Sequence, residues 1–560
     1  MVNGSLTKEF KLSRGLRQGD SMASFLFLIV AQGLAGLVKQ ATRKHLFSGI
    51  KVGDKKVDVN LLQFVDDTLF LYESNVQNIM CIKAILRCFK LSSDLRVNFH
   101  KSKIGAIGVD MYEVKMYSEI FHCSLMDIPF TYLDLHIGGN PSRCSFWELV
   151  ISKIRKKHSI WKGRNLSFTG RVCFIKSVIN GIPLFFLYFF KAPIGVCKEI
   201  TKLQRKFLWR WGAEGRKIVW ISWENICKAK EEECLGIKRI DLFNKALLAK
   251  WLWRMGSPET GLWKDVLESK YDLWRLTNST RPNRNRCKSI WWNDLSKVSL
   301  SDQGDNWFNS NMVWQVGSRE KIKFWEDEWL ANGQLKGRYE RIYNNSELKD
   351  KTIGSFRRWS IEGWEWKFSW RREWFEWEKT MVEDFMASIS RVSLHPYKED
   401  LRLWNNPPSY TFSIKSAHNK LVNHRSGGVS VVFEYLWNLK VMPSTQFYVW
   451  MALLDIVATK QNLHKRGATL EDTLCVLCGR EEESTSHILV LCKVSIKVWN
   501  MCFRWMRISS VNHNELIHHF EQFSWICFNQ EAIDYGKTYG FQWYVEFGSI
   551  ETELFLTKQR

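Results

Sequence analysis

Two small groups of side chains in this sequence have the types and spacing for metal chemistry. The first is Asp66-Asp67, set in Leu61-Leu62-Gln63-Phe64-Val65-Asp66-Asp67-Thr68-Leu69-Phe70-Leu71-Tyr72. Strand-favouring residues flank the pair on both sides, so it is expected at the turn of a β-hairpin. Such a turn lifts carboxylate oxygens out of the sheet, where hard Mg²⁺ can take them along with substrate phosphates. That arrangement serves two-metal nucleotidyl transfer, but an Asp-Asp pair also makes an ordinary hairpin turn, so the surrounding residues must decide. The second group is Cys475-x2-Cys478-x8-His487-x4-Cys492. Three thiolates and one imidazole are the donor set of a closed, structural, tetrahedral Zn²⁺ site. Cys475-Val476-Leu477-Cys478 followed by Gly479 fits a knuckle turn. On a straight helix two residues five apart point about 140° away from each other, so His487 and Cys492 are expected at a helix end or across a loop.

The chain has 560 residues, 45% hydrophobic and 25% charged, which predicts a globular protein of about three or four domains. A formal net charge of +23 calls for a polyanionic partner, with nucleic acid ahead of a membrane. The longest apolar stretch singled out, Ile182 to Phe190, contains Pro183 and is too short to span a bilayer, and the first residues lack a secretory core. The 14 cysteines are mostly scattered singly, as at Cys123, Cys173 and Cys287, so an intracellular, reducing compartment is expected. Tryptophan divides the chain: none precedes Trp147, and 27 of the 29 lie at Trp209 or beyond. Ahead of the carboxylates, Arg14-Gly15-Leu16-Arg17-Gln18-Gly19-Asp20 precedes an apolar helical run, Phe25 to Val30. Glycine permits close backbone approach and arginine supplies forked donors to phosphate. Behind them, Leu95-Arg96-Val97-Asn98 leads into a basic turn, Lys101-Ser102-Lys103.

In that order, RGLRQGD, QFVDD and LRVNFHKSK resemble the reverse-transcriptase palm of plant-type LINE elements, the non-LTR retrotransposons. The resemblance implies RNA-templated DNA synthesis from a primer 3′-hydroxyl with two Mg²⁺ ions. It makes Asp66 and Asp67 the metal carboxylates. Arg14, Gly15, Gln18 and Gly19 become the template and nucleotide wall, and Lys101 and Lys103 the phosphate side. The sequence departs from the family at Val65, where Ala is usual, and at Asp20-Ser21-Met22-Ala23-Ser24-Phe25-Leu26-Phe27, which lacks two prolines. The family's first catalytic Asp should lie some tens of residues before RGLRQGD, yet none of the thirteen residues ahead of Arg14 is an Asp. Two metals need a bridging carboxylate, so this chain by itself is not expected to polymerise DNA.

Pro129-Phe130-Thr131-Tyr132-Leu133 and Ile137-Gly138-Gly139-Asn140-Pro141 resemble the family's primer grip, with Asp134 and His136 replacing its Gly and Pro. Next, Trp147, Val150, Ile151, Ile154, His158 and Trp161 recur at helical spacing, with Lys153, Arg155, Lys156 and Lys157 on other faces. A basic helix of this kind suits a thumb tracking a duplex backbone, and Lys162 and Arg164 continue the pattern. The tryptophans from Phe207-Leu208-Trp209 to Trp329 match the family's connector. Singly they are expected in cores, with the dense run Trp359 to Trp377 as the exception. Phe412-Ser413-Ile414-Lys415-Ser416-Ala417 opens a segment resembling the zinc-binding domain of these enzymes, anchored by Trp437, Trp450 and Trp499. Lys460, Lys465 and Arg466 are candidate nucleic-acid contacts there.

The reading is an α+β chain: a partial palm (1–125), primer grip and helical thumb (126–200), Trp-rich connector (201–408), zinc-binding module (409–505) and a tail without assignment (506–560). Its expected partners are an RNA template with a DNA primer or RNA–DNA duplex, and a dNTP, with no membrane. Two alternatives stay open: a non-catalytic zinc-containing nucleic-acid-binding protein, and a gene remnant without a role.

Overall fold

The computed structural model describes residues 19–162, 166–209, 218–257, 259–271, 289–300, 304, 306–315, 322–330, 333–360, 363–390, 400–423, 430–505, 509–511 and 513–525. Arg14, Gly15, Gln18 and Arg164 therefore lie outside the described residues. Contacts divide the chain into two compact units, residues 1–140 with 258–283, and residues 141–257 with 284–560. The class is α+β, helix-rich, and every named sheet among the described residues has only two strands.

The first unit is organised around three helices. Helix α1, Ser21–Arg43, starts at Asp20, whose carboxylate accepts from the Met22 N–H as a helix cap. It buries Leu34, Val38 and Ala41 at helical spacing against Ile79, Ile82 and Ile85 of α2, Val76–Ser93. Tyr117 and Phe121 of α3, Met111–Phe121, complete that core. Five short ladders lie in the same unit: β1 (Ile50–Val52) with β2 (Val57–Val59), β3 (Leu61–Phe64) with β4 (Asp67–Phe70), and parallel β5 (Lys103–Ile104) with β6 (Ser124–Leu125) are three of them. The antiparallel pair β7 (Phe130–Tyr132) and β8 (Leu135–Ile137) is the fourth. The fifth is a single bridge, Gly49 to Tyr72. Gly53 sits at φ +73 with Ser269 of the helix Leu262–Lys270 against it, where a Cβ would come within 2.4 Å of the serine. The Asp54 N–H donates to the Ser269 carbonyl and the Lys55 N–H to its hydroxyl, which itself donates to Val52. This clasp is why residues so far along the chain belong to the first unit.

The structure corrects one expectation. Helix α1, not Ile182 to Phe190, is the longest apolar element, with 23 residues, and by length and composition it could cross a membrane. Its C-terminal half is core, while Met22, Phe25, Leu26, Leu28 and Ile29 are exposed. The interrupting Ser24, Gln32 and Gly33 hide this run from a reading that looks for unbroken apolar residues.

In the second unit, α4 (Glu148–Lys162) buries Val150, Ile151 and Ile154, packs on the helix Ile194–Leu208, and leaves Lys153, Arg155, Lys156 and Lys157 exposed. Buried Asn244 pins the helix Leu184–Phe189: its amide donates to the Leu187 and Phe190 carbonyls and accepts from the Ala192 N–H. Most tryptophans serve as core, and Trp147, Trp325, Trp404, Trp450 and Trp499 are fully buried. The dense run is not an exception throughout, since Trp366, Trp370 and Trp374 pack on the cluster around Trp325 and Phe385. Trp377 is 59% exposed.

Beneath that cluster, Glu378 is buried and takes both Arg372 nitrogens at 2.8 Å and the Phe375 N–H at 3.2 Å. The Arg372 hydrogen bonds hold its carboxyl down at about 2, well under the ordinary 4.5. A carboxylate depressed in the folded state stabilises it above the unfolded pKa, and that contribution disappears as pH falls through the folded value. Tryptophan fluorescence of Glu378→Gln should therefore report weaker thermal stability than the parent at pH 6. The difference should close progressively as both are acidified from about pH 4.5 toward 2.

Candidate metal centres

The thiolate-imidazole group is assembled by three local devices. The chain reverses at Cys475–Gly479, where the Gly479 N–H donates to the Cys475 carbonyl at 2.8 Å and Gly479 takes φ +62. That left-handed value favours glycine. A bridge between Leu474 and Glu482, with the Cys475 N–H on the Glu481 carbonyl, closes the loop around the knuckle. The third device resolves the five-residue spacing. His487–Leu491 is a π-helical turn, and the Cys492 N–H reaches the His487 carbonyl at 2.7 Å. A π turn widens the helix, so residues five apart return to the same side. Cys492 ends the turn in extended backbone, and the helix Lys493–Trp505 follows it. The expected helix end is present, and the π turn is the device that sequence spacing alone did not reveal.

One ligand atom from each of Cys475, Cys478, His487 and Cys492 lies within 4.8 Å of all the others. Cys478 Sγ and His487 Nε2 are 3.4 Å apart, the separation of two neighbouring corners of a zinc tetrahedron. His487 Nδ1 lies 3.0 Å from Glu481 Oε2. The Nδ1 proton therefore donates to that carboxylate and leaves Nε2 as the ligand atom, the usual outer support of a metal-binding histidine. Backbone N–H groups of Arg480 and Glu481 bring the Cys478 thiol down to about 6, whereas burial pushes Cys475 up to about 11. Below the site, buried Glu483 accepts from the Lys460 and Val476 N–H groups, tying the helix Lys460–Lys465 to the knuckle. Sequence reasoning missed Glu481 and Glu483, because a run of three glutamates reads as a solvated surface.

The candidate nucleic-acid contacts of this module divide. The Lys460 ammonium is held by Asp472 and the Leu474 carbonyl, and Arg466 donates to the Val219 and Trp220 carbonyls while lying 5.3 Å over the Trp220 ring. Those two are spent inside the protein. Lys465 is exposed and, among the described residues, bonded only to Gln461 one turn away.

Asp66 and Asp67 stand where the pattern predicts. Phe64 pairs with Asp67 across a two-residue turn, Val65-Asp66, and both carboxylates are exposed. Val65 takes φ +51, the left-handed region that a β-branched residue rarely occupies. A hairpin turn with positive φ at its first central residue is normally given to glycine, so strain of about 1–2 kcal/mol sits beside the carboxylates. Burial, and secondarily the Asp67 charge, raise the hydroxyl pKa of Tyr132 in β7. The β7–β8 hairpin carries its own left-handed pair, Leu133 at φ +49 and Asp134 at φ +62, where the family's glycine would be unstrained. Gly19 precedes α1 at φ +91. Lys101, just ahead of β5, and Lys103, in it, are exposed, and among the described residues neither forms an ion pair with Asp66 or Asp67. On α4, Arg155 is bound by Glu148 at 2.7 Å and Glu199 at 3.3 Å, leaving Lys153, Lys156 and Lys157 as the uncommitted cations of that face among the described residues. The Lys162 side chain lies outside the described residues.

Each of the two groups falls within a segment that matches a known family. Residues 1–137 match the reverse transcriptase (RNA-dependent DNA polymerase) family, and residues 412–499 match the family described as zinc-binding in reverse transcriptase. The chain thus carries a segment similar to reverse transcriptases and, further along, one similar to their zinc-binding domain. Among curated relatives, an Arabidopsis thaliana protein named as a ribonuclease H protein is 24% identical over 62% of this chain, which spans 54% of that relative. A mitochondrial protein of the same plant, named as uncharacterized, is 27% identical over 27% of this chain and 94% of its own length.

The zinc geometry gives a direct test. The purified chain should carry one Zn²⁺, and Cys492→Ser should lose it. Glu481→Gln should keep the fold but weaken Zn²⁺ binding by about 10–100-fold in a chelator competition, because the imidazole loses its orienting acceptor. Unchanged zinc affinity in that variant would contradict the role given to Glu481.

Proposed function

We propose that this chain derives from a LINE-type reverse transcriptase, and that its β3–β4 turn is the metal-holding part of a nucleotidyl-transfer site. The observation carrying this reading is Asp66-Asp67 exposed at the tip of a two-residue hairpin, inside the segment that matches the polymerase family. The carboxylates would hold Mg²⁺, which when bound activates the primer hydroxyl and neutralises the departing pyrophosphate. The chain's own residues do the rest. Strained Val65 presents the two carboxylates. Lys101 and Lys103 offer positive charge to the triphosphate, and Arg14, Gly15, Gln18 and Gly19 form the template and nucleotide wall. Lys153, Lys156 and Lys157 follow the phosphates of an RNA–DNA duplex. The resemblance puts the bridging third carboxylate in a segment N-terminal to Arg14.

Two measurements test the reading. Water-proton relaxation with Mn²⁺ as the probe should show dNTP-dependent binding to the parent chain, abolished by Asp66→Asn with Asp67→Asn. If the double variant binds Mn²⁺ and dNTP as well as the parent, the turn is not a metal site, and a zinc-containing nucleic-acid-binding protein without chemistry is left. Separately, Lys153→Gln, Lys156→Gln and Lys157→Gln together should reduce the salt slope of duplex binding by about 2 to 3, given a slope of about 0.9 per phosphate contact.

A further inference from the structure

Within the first unit an open groove of about 600 Å³ is lined by Lys83 in the middle of α2, the segment 96–100 and the C-terminal end of α3. Its lining has a one-sided chemistry. Lys83, Arg96, His100 and His122 supply four basic side chains, Asn98 supplies an amide, and no carboxylate lines the groove. Basic side chains near helix C-termini can be explained as partners for the last carbonyls. Lys83 fits that explanation, since its ammonium donates to the Ile120 carbonyl at 3.3 Å. The other three do not: among the described residues Arg96, His100 and His122 form no side-chain hydrogen bond or ion pair, and all three are exposed. Asn98 uses its carbonyl oxygen to accept the Lys101 N–H, which leaves its amide N–H groups directed elsewhere.

The floor is aromatic. Phe99 is half-buried and stacks on Phe121, with ring centroids 6.3 Å apart and planes 21° from parallel. A fixed, partly open ring beside a fork-shaped guanidinium and an amide is the combination that holds one nucleotide of a single strand, base on ring and phosphate on arginine. The volume agrees, because sites for nucleotide-sized ligands run to about 300–1,000 Å³. Lys101 and Lys103, both exposed, extend the positive lining beyond the groove. Structural pairing would leave these cations neutralised; among the described residues Arg96, His100 and His122 carry no such pairing, and only Lys83 donates to a carbonyl.

We infer that this groove binds the backbone of a single nucleic-acid strand, with Arg96 and Lys83 on phosphate, Phe99 under a base, and Asn98, His100 and His122 as further donors. The choice of nucleic acid as the polyanion rests on the function proposed above; the site itself is separate from the carboxylate turn. The test uses the full chain and a short oligothymidylate carrying one 4-thiothymidine, irradiated and mapped by peptide mass spectrometry. The expected result is cross-linking within residues 96–100 or 119–122, reduced at least fivefold by Lys83→Gln with Arg96→Gln. Unlabelled oligothymidylate should compete, whereas equal concentrations of dTTP or inorganic phosphate should not. Cross-links confined to other segments, or a yield indifferent to the double substitution in a chain with parental circular dichroism, would overturn the inference. Full competition by dTTP would overturn it in favour of a mononucleotide pocket. A chain that fails the Mn²⁺ test yet keeps this cross-link loses the polymerase reading and retains the groove.

Discussion

Short antiparallel ladders do not hold themselves in water: an isolated two-stranded pair is marginal. Because every named sheet described here is such a pair, the sites depend on buried polar side chains that join elements across the chain. Asn78 illustrates the constraint. Its carbonyl oxygen accepts from the Ser48 N–H while its amide donates to the Ser48 and Glu73 carbonyls, binding the start of α2 to the backbone on both sides of the carboxylate hairpin. Asn244 does the same among the helices of the second unit, and Glu483 does it beneath the zinc knuckle. Each is satisfied on several atoms, which lets a polar group be buried without a large desolvation cost.

The two candidate centres are built in opposite ways. The thiolate group is enclosed, with Cys475 and Cys492 buried and His487 fixed by an outer carboxylate. A structural ion there contributes to folding rather than to reaction. The carboxylate turn is open, with Asp66 and Asp67 in solvent, as a site must be if substrate phosphates are to share the metal. Val65 marks the open site further, since backbone strain at a turn is characteristic of places where presentation matters more than stability.

Much of this was legible in the sequence. The hairpin at Asp66-Asp67, the buried stripe Val150, Ile151 and Ile154, and the four zinc ligands follow from periodicity and residue chemistry. What the sequence did not disclose has physical reasons. The π turn is invisible because helix type depends on tertiary demand, not on the propensities of Ile488, Leu489 and Val490. The commitment of Arg155, Lys460 and Arg466 to internal partners is invisible because a cation looks alike whether its acceptor is a phosphate or a neighbouring carbonyl. The clasp at Ser269 joins residues with no local relation at all.

That clasp bears on the order in which the molecule is made. The loop at Gly53 finds acceptors for its Asp54 and Lys55 amides only when Ser269 has emerged from the ribosome, more than two hundred residues later. Until then the nascent first unit must wait with an unfinished edge while the start of the second is already being synthesised. The same dependence means that a polypeptide cut at residue 140, the apparent end of its fold, would leave this edge permanently open.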